Sequence, residues 1–313
     1  MKTLRNRIRL AAFAWLSIAA FASCNHKELC YDHSHMTEFE VKFDWSGCPD
    51  AEPRTMVLQL FYPDGNHYNR YEFGSVEGGI IRVHTGTYRM LFHNGDMDHV
   101  IEQGTRYEDY EVTTPARDLL ATIGRASSEA PRPDGSENQP VRFAPESVWG
   151  GSSETIEIRP SATERQSVTL RPQEATDIYT VEIRNVENLE ATPEIGAALT
   201  GFAECHRFST GAPAGQPVTI PLDLTRVDNH TLTTSFATFG HCPEERLEHM
   251  LSIYTSNKVY YHFDVTNRIH EAEDPHNVQI VIDGLKLPLP GTGMDTSVSD
   301  WDSDIVENDI NMN

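Results

Sequence analysis

The sequence predicts an all-β protein made of two β-sandwich domains. Apolar and polar residues alternate with a period of two in both halves of the chain, which is typical of strands with one buried and one solvated face. Clusters of Gly, Pro, Asn and Asp separate these short segments and favour turns. Only one short segment carries helix signals. Many short strands joined by turns indicate sandwiches rather than the other fold classes.

The N-terminal sandwich is predicted over residues 36–171. Its first strand carries Phe39, Val41, Phe43 and Trp45 in alternation with charged residues, so one face is apolar and the other is solvated. The same reasoning predicts further strands over residues 55–62, 68–73, 80–84, 88–93, 155–158 and 168–170.

Residues 125–140, RASSEAPRPDGSENQP, interrupt the N-terminal sandwich. They show no apolar period and consist mainly of Ser, Pro, Glu, Gly and Asn. A segment with so few apolar residues cannot offset the entropy lost on ordering. We therefore expect a mobile loop inserted in this domain.

The C-terminal sandwich is predicted over residues 172–290, where Tyr179, Val181 and Ile183 alternate with polar residues. A proline followed by a glutamate opens a short helix predicted over 243–251. The predicted strands cover residues 197–204, 217–224, 231–238, 258–265 and 278–287.

Residues 291–313 form an acidic tail without Lys or Arg, and such a tail is expected to be disordered by itself. Its acidic residues are Asp295, Asp300, Asp302, Asp304, Glu307 and Asp309.

Residues 1–23 are typical of an export signal. Lys2, Arg5, Arg7 and Arg9 precede an uncharged apolar segment that is too short to span a bilayer. No later segment approaches the 18 consecutive apolar residues of a membrane span.

The signal ends in Phe21-Ala22-Ser23-Cys24, which resembles the lipobox of bacterial lipoproteins. Cleavage before Cys24 makes that cysteine the first residue, modified with lipid such as palmitate and followed by a leader over 24–35. Phe21 departs from the usual leucine of that motif. An ordinary secreted protein that is cut nearby is the alternative.

The charge of the chain excludes several partners. Removal of residues 1–23 takes away four positive charges and changes the formal net charge from -22 to about -26. A surface of this sign repels phosphates, so nucleic acid is not expected as a partner. It also repels anionic headgroups, so attachment to a membrane depends on acyl chains.

Four cysteines remain beyond Cys24, namely Cys30, Cys48, Cys205 and Cys242. An even number in an exported protein permits three pairings, and the spacing suggests one disulfide per domain. Free thiols are the first alternative. Zinc bound by Cys205-His206 and His241-Cys242 is the second, although neighbouring side chains in a strand point to opposite faces.

Several phrases in order along the chain resemble the fimbrillin-type lipoproteins of Bacteroidales, within the group of fimbrial anchor and accessory proteins. The resemblance covers nearly the whole mature chain. The phrases are CYDHSH, VKFDW, TGTYRMLFHN, VTLRPQEATDIYTVEI, LTGFAECHRFSTG and YYHFDVTNRI.

This resemblance implies two transthyretin-like β-sandwiches and a role at the base of a fimbrium, at the cell surface of the outer membrane. Fimbrial subunits are then the expected partners, joined by β-strand complementation, in which an extended segment of one chain completes the sheet of another. No cofactor is expected.

No catalytic motif has local support in the sequence. His270-Glu271 with His276 lacks the spacing of a metalloprotease helix, and Gly150-Gly151-Ser152 lacks the glycine that follows the serine of a nucleophile elbow. His33 and His35 share a face of an extended chain, but two imidazoles without a third ligand do not make a metal site. We expect neither an enzyme nor a metalloprotein.

A surface module that binds a glycan or a host protein is the alternative function. Such a module uses loops at the ends of a sandwich, and a sugar site needs a platform of exposed aromatic rings. The candidate rings are Tyr62, Tyr68, Tyr71, Tyr107 and Tyr110.

Overall fold

The structure is a computed structural model that describes residues 35–123, 130–160, 164–192, 194–242 and 247–289. The predicted signal peptide, Cys24 and the acidic tail lie outside the described residues, as do residues 24–34 of the predicted leader. No helix in the described ranges is long and apolar enough to cross a membrane.

The described residues form short strands and very little helix. The strands of the first half are β1 Met36–Phe43, β2 Met56–Phe61, β3 His67–Phe73, β4 Gly78–His84, β5 Gly86–Asn94, β6 Ile101–Gln103, β7 Glu111–Thr113, β8 Trp149–Ile158, β9 Gln166–Leu170 and β10 Gln173–Glu174. Those of the second half are β11 Asp177–Glu187, β12 Ile195–Arg207, β13 Ala212–Leu222, β14 Thr225–Arg226, β15 Leu232–Thr238, β16 Met250–Thr255, β17 Tyr260–Asp264 and β18 Asn277–Lys286. The helical elements are 3-10 turns at Trp45–Gly47, Ala121–Ile123 and Leu189–Ala191, and one α-helix, α1, at Thr266–His270.

The first sandwich packs a three-stranded sheet, β4-β1-β9, against a five-stranded sheet, β10-β8-β5-β2-β3. The central strand β1 is antiparallel to β4 and parallel to β9. Phe39, Val41 and Phe43 are buried among the apolar side chains of β2 and β5, as the alternation predicts.

The second sandwich packs a sheet of order β14-β15-β11-β18 against a sheet of order β17-β16-β12-β7-β6, with β13 on the other side of β12. Tyr179, Val181 and Ile183 of β11 are fully buried in its core. The prediction of an all-β protein with two sandwiches is therefore confirmed, and the sandwiches are transthyretin-like.

The chain leaves the first sandwich between β10, which pairs with β8, and β11, which pairs with β15. The transition therefore lies between Glu174 and Asp177. The sequence places it near residue 171, a few residues earlier, because the two-residue strand β10 is too short to produce a visible alternation.

Two strands from the first half of the chain belong to the second sandwich. Strand β7 pairs with the end of β12, so that Thr113 lies opposite Cys205, and β6 pairs with β7. The junction buries Phe61, Leu91 and Phe208 in one apolar cluster with residues from both halves of the chain. Each sandwich therefore has its own core, and the two share this junction cluster.

A polar network lies beside this cluster, with Gln59, His93 and Tyr110 buried and with Arg70 and Glu102 at its exposed end. The side chain of Gln59 donates to Glu102 at 3.0 Å and to the hydroxyl of Tyr110 at 3.1 Å, and that hydroxyl lies 3.0 Å from Nε2 of His93. Arg70 donates to Glu102 at 3.0 Å. These side-chain hydrogen bonds connect strands β2, β3 and β5 to β6 and to Tyr110, which directly precedes β7.

Residues 130–143 lie against the second sandwich, which differs from the mobile loop predicted over 125–140. Gln139 is buried, and its side-chain oxygen accepts from the backbone N–H of Gly201 at 3.2 Å and from the hydroxyl of Thr219 at 3.1 Å. Arg132 donates to the same hydroxyl at 2.7 Å. Polar contacts, which a search for apolar periodicity does not detect, hold the segment. Residues 125–129 lie outside the described residues.

The short helix predicted over 243–251 is wrong in its described part, because Met250 and Leu251 begin β16 and pair with β12 and β17. The chain is instead helical at α1, around His270, where the sequence shows no helix signal. A single helical turn is decided by packing, here by buried Ile269, rather than by helix propensity.

Candidate functional site

An open groove of about 810 Å³ lies along one side of the second sandwich. Residues of both sheets contribute to it, together with the connection that follows residue 143. The lining residues are Arg117, Ala144, Pro145, Glu146, Ser147, Ile178, Pro221, Leu222, Asp223, Thr225, Thr233, Thr234, Ser235, Phe236 and Ala237.

The groove follows a strand edge that lacks a partner along most of its length. Strand β15 pairs with β11 from Leu232 to Thr238, but on its other side it pairs only through Leu232 and Thr233 with β14. Within the described residues, 234–237 therefore have one unpaired edge, and all four line the groove. An open edge of this kind accepts another extended chain.

The floor of the groove is apolar. Leu222 belongs to the core of the second sandwich, and half-buried Phe236 and Ala144 pack against that core. Half-buried Ile178 pairs opposite Ala237, so its side chain lies on the other face of this sheet from Phe236. Apolar side chains of an added strand would be removed from water here, which stabilises an association by about 25 cal/mol per Å² of apolar surface.

The rim of the groove is charged. Arg117 donates to Asp223 at 3.2 Å, and Nδ1 of His99 lies 2.7 Å from Glu146. The described lining residues include no histidine and no cysteine. The groove thus offers hydroxyls, an ion pair and backbone groups for binding.

The cysteines that the sequence singles out are separate from the groove. Cys24 and Cys30 lie outside the described residues. Cys48, Cys205 and Cys242 are buried, and no disulfide joins any two of them. Cys48 donates its thiol hydrogen to the carbonyl of Pro172 at 3.5 Å.

The Cys205–Cys242 disulfide that the sequence suggests is not formed. The backbone N–H of Cys242 donates to the carbonyl of Gly201, which is four positions before Cys205 on β12. Four positions along a strand correspond to about 13 Å, whereas the Cα atoms of a disulfide lie within about 7 Å. Burial raises the pKa of the Cys205 thiol to about 12, so this thiol is neutral.

Zinc bound jointly by Cys205-His206 and His241-Cys242 is excluded by the same distance, because the two pairs of residues lie several positions apart along β12. His206 is buried and packs its ring against Phe208, with 5.2 Å between ring centres. His241 lies opposite Phe202 and close to two other histidines instead.

The five tyrosines do not form a flat platform. Tyr107 and Tyr110 are buried at the junction, whereas the side chain of Tyr62 is 41% exposed. The ring planes of Tyr62 and Tyr68 are inclined by 74°, and half-buried Tyr71 donates its hydroxyl to the carbonyl of Arg82. Rings in such an arrangement seal the end of a sandwich, which weighs against a stacking site for sugar.

Comparison with known proteins agrees with this architecture. A family model described as a domain of unknown function, DUF5119, matches residues 23–223. A Bacteroides ovatus protein described as a fimbrium anchoring subunit, Fim4B, is 21% identical over 232 residues, which cover 73% of this chain. The match spans 64% of that protein, less than two thirds of its length.

Solved structures show the same fold at low sequence identity. An adhesin-type protein from Bacteroides ovatus matches with a TM-score of 0.59 and 17% identity, over 82% of this chain and 94% of its own. The fimbrial anchor protein Mfa2 from Porphyromonas gingivalis matches with a TM-score of 0.52 and 16% identity, over 79% of this chain and 90% of its own.

Proposed function

The chain belongs to the DUF5119 family and is similar to fimbrial anchors and adhesins, and on this premise we propose that it is a lipid-anchored anchor or accessory subunit of a fimbrium. It is non-catalytic and sits at the cell surface of the outer membrane. The observation that carries the proposal is the groove along the unpaired edge of β15, because this groove gives the subunit a place to hold a partner.

The partner in this proposal is a fimbrial subunit that contributes an extended segment. Its backbone pairs with residues 234–237, and its alternate apolar side chains pack on Leu222 and Phe236. Burial of two such side chains contributes roughly 3–6 kcal/mol before the cost of ordering the segment. This mode of recognition is β-strand complementation.

Attachment to the membrane rests on Cys24 in this proposal. The lipobox-like end of the signal supports acylation of that cysteine. A single acyl chain binds a membrane only marginally, whereas two or more hold it stably. Labelled palmitate is expected to enter the wild-type protein and to be absent from the Cys24→Ala variant; incorporation that survives the substitution would refute the lipid anchor.

The groove is tested by placing a photo-reactive amino acid at Ser235, an exposed residue that lines it. The experiment uses the full chain in cells that also produce the fimbrial subunits. The matched control places the same amino acid at Ser167, an exposed residue of β9, which is the edge strand of the first sandwich. We expect a cross-link to a fimbrial subunit from position 235 and none from position 167.

Two results would contradict the proposal. Equal cross-linking from both positions would show that the β15 edge has no special role. Cross-linking from position 235 only to residues 290–313 of the same chain would show that the groove holds the chain's own segment. If no subunit is captured while the purified protein binds a defined glycan, the alternative of a surface binding module replaces the anchor.

A further inference from the structure

The chain enters the first sandwich at the end that its tyrosines seal. The carbonyl of His35, the residue before β1, accepts from the backbone N–H of Thr85 at 2.8 Å. The ring centre of His35 lies 5.0 Å from that of His84, which in turn lies 6.0 Å from that of Tyr68. We call this the leader end. Strands β1, β3, β5 and β9 begin there, and β2, β4 and β8 end there.

The second sandwich joins the first at the opposite end. The chain crosses between the sandwiches after β5, before β8 and after β10, and the strand residues next to these crossings are Asn94, Trp149 and Glu174. Asn94 pairs with Met56 at the start of β2, and Trp149 pairs with Glu174, so all three crossings leave from that end. Groove residues 144–147 belong to one of them. The leader end therefore points away from this part of the groove.

The length of the leader decides which end stays near a lipid on Cys24. An extended chain spans at most about 3.3–3.6 Å per residue, so the eleven steps from Cys24 to His35 reach about 36–40 Å. The opposite end is farther away by the length of β1, which is eight residues or about 26 Å. The leader end is thus the part of the first sandwich nearest to the bilayer. This inference rests on the acylation of Cys24 that is part of the proposed function.

Exposed side chains at the leader end suit an interface between water and lipid. Tyr62 is 41% exposed, and Pro63 beside it at the β2–β3 turn is exposed as well. The ring of Tyr62 packs against those of Tyr68 and Tyr88, with 5.4 and 5.7 Å between ring centres. A tyrosine, which is apolar along its ring and polar at its hydroxyl, is typical of the interfacial region of membranes.

An oriented positive charge lies at the same turn. Arg106 is exposed, and its guanidinium donates to the side-chain oxygen of Asn66 at 2.8 Å and to the carbonyl of Asp64 at 2.5 Å. Both acceptors are neutral, so they orient the guanidinium without neutralising it. The carboxylate of Asp64 accepts from the backbone N–H and the side-chain amide of Asn66 instead. A guanidinium held in this way can donate to a phosphate oxygen.

The connections between strands give the two ends different charges. Those at the leader end carry two acidic and two basic residues, whereas those at the opposite end carry six acidic and two basic residues. An anionic surface therefore repels the opposite end more strongly than the leader end. The charged residues are Asp64, Arg159, Glu164 and Arg165 at the leader end, and Asp44, Asp50, Glu52, Arg54, Glu77, Asp96, Asp98 and Arg171 at the opposite end.

From these observations we propose that the leader end lies on the surface of the lipid bilayer, with Tyr62 and Pro63 in the headgroup region and Arg106 on a lipid phosphate. The acyl chains on Cys24 supply the affinity, because the chain as a whole is acidic. The leader end supplies the orientation. The β15 groove is thereby presented on the side away from the membrane, toward the fimbrium.

The test uses the mature, acylated full chain in vesicles of phosphatidylethanolamine and phosphatidylglycerol whose acyl chains carry bromine, which quenches nearby tryptophan. Trp301→Phe is the parent protein, so its signal comes from Trp45 and Trp149, whose ring centres lie 6.5 Å apart at the opposite end. Tyr62→Trp in this parent adds a reporter at the leader end. Its added fluorescence is expected to fall by about half or more relative to unbrominated vesicles, because an interfacial ring lies within about 10 Å of the acyl region.

Ser46→Trp in the same parent is the matched control, since Ser46 is exposed at the opposite end and its added fluorescence should not change. Arg106→Gln, combined with Tyr62→Trp, should weaken the quenching of the reporter. Quenching at position 46 that equals or exceeds that at position 62, or none at position 62 in palmitate-labelled protein on vesicles, would overturn the contact and leave the lipid anchor intact. Protein that carries no palmitate would refute the anchor and the orientation together.

Discussion

The two sandwiches arise from the same alternation of residues but are completed in different ways. The first builds both of its sheets from residues 36–174, and its core is closed by its own strands. The second takes β6 and β7 from the first half of the chain and is covered by residues 130–143. The second sandwich therefore depends on the first half of the chain for its completion.

The two sandwiches also differ in what they leave open. At one end of the first, the hydroxyl of Tyr88 donates to the carbonyl of His84 at 3.1 Å, and aromatic rings pack around it. In the second, no described strand pairs with the edge of β15 at residues 234–237, beside an apolar floor. A side that is both unpaired and apolar fits a partner better than a sealed end does.

The largest expected effect on stability comes from a substitution at the junction between the two sandwiches. Phe208 is buried there and stacks on His93, with 5.3 Å between ring centres. Phe208→Ala is expected to lower the free energy of unfolding by about 3–5 kcal/mol, because it leaves a cavity in a packed core. Denaturant unfolding followed by circular dichroism and by the fluorescence of Trp45 and Trp149 measures the loss.

Both tryptophans lie in the first sandwich, so their fluorescence shows whether the two sandwiches unfold together. Trp301 is replaced by Phe in every variant to remove its signal. Phe39→Ala in the first core is the control and should shift both signals. A shift of the circular dichroism signal in Phe208→Ala without a shift in fluorescence would show that the junction cluster does not couple the unfolding of the two sandwiches.

The next largest effect is a dependence of the free energy of unfolding on pH. Burial lowers the pKa of His206 from 6.5 to about 4. Below pH 6.5 the unfolded chain binds a proton that the folded chain excludes, so stability is lost as the pH falls from about 6.5 to about 4. The loss from this residue amounts to about 3 kcal/mol at most.

The measurement is the free energy of unfolding at several pH values across that range. His206→Gln should show a smaller decrease toward acid than the wild type, whereas His84→Gln, at an exposed position, should follow the wild type. Identical acid dependence in His206→Gln and the wild type would show that this histidine is protonated equally in both states.

A smaller effect is expected where residues 130–143 cover the second sandwich. Gln139→Ala removes the acceptor of Gly201 and Thr219 and should lower stability by about 1–3 kcal/mol. The control is Gln173→Ala, which is exposed on β10 and should have little effect. If both variants unfold like the wild type in denaturant, the polar contacts of this segment do not stabilise the sandwich.

The smallest effect is expected at the rim of the groove. Asp223→Asn removes the partner of Arg117 in an ion pair whose carboxylate is 70% exposed. Exposed pairs contribute about 0–1 kcal/mol, so the Tm should change little. A larger loss would indicate that this pair holds the groove in shape, and cross-linking from Ser235 should then fall as well.

Much of the fold follows from local patterns. The positions of Phe39, Val41 and Phe43 predict which face of β1 is buried, and Tyr179, Val181 and Ile183 do the same for β11. Strands β6 and β7 escape prediction because three residues are too few to show a period. Residues 130–140 are misjudged because Gln139 and Arg132 hold them through hydrogen bonds.

The sequence by itself determined the fold class, the two sandwiches and the faces that are buried, because alternation along a strand sorts side chains between core and solvent. Tertiary structure alone decided that β7 joins β12, that Cys205 and Cys242 stay apart, and that one edge of β15 has no partner over residues 234–237 among the described strands. Each of these features depends on strand pairing between residues distant in sequence, and local periodicity carries no information about such partners.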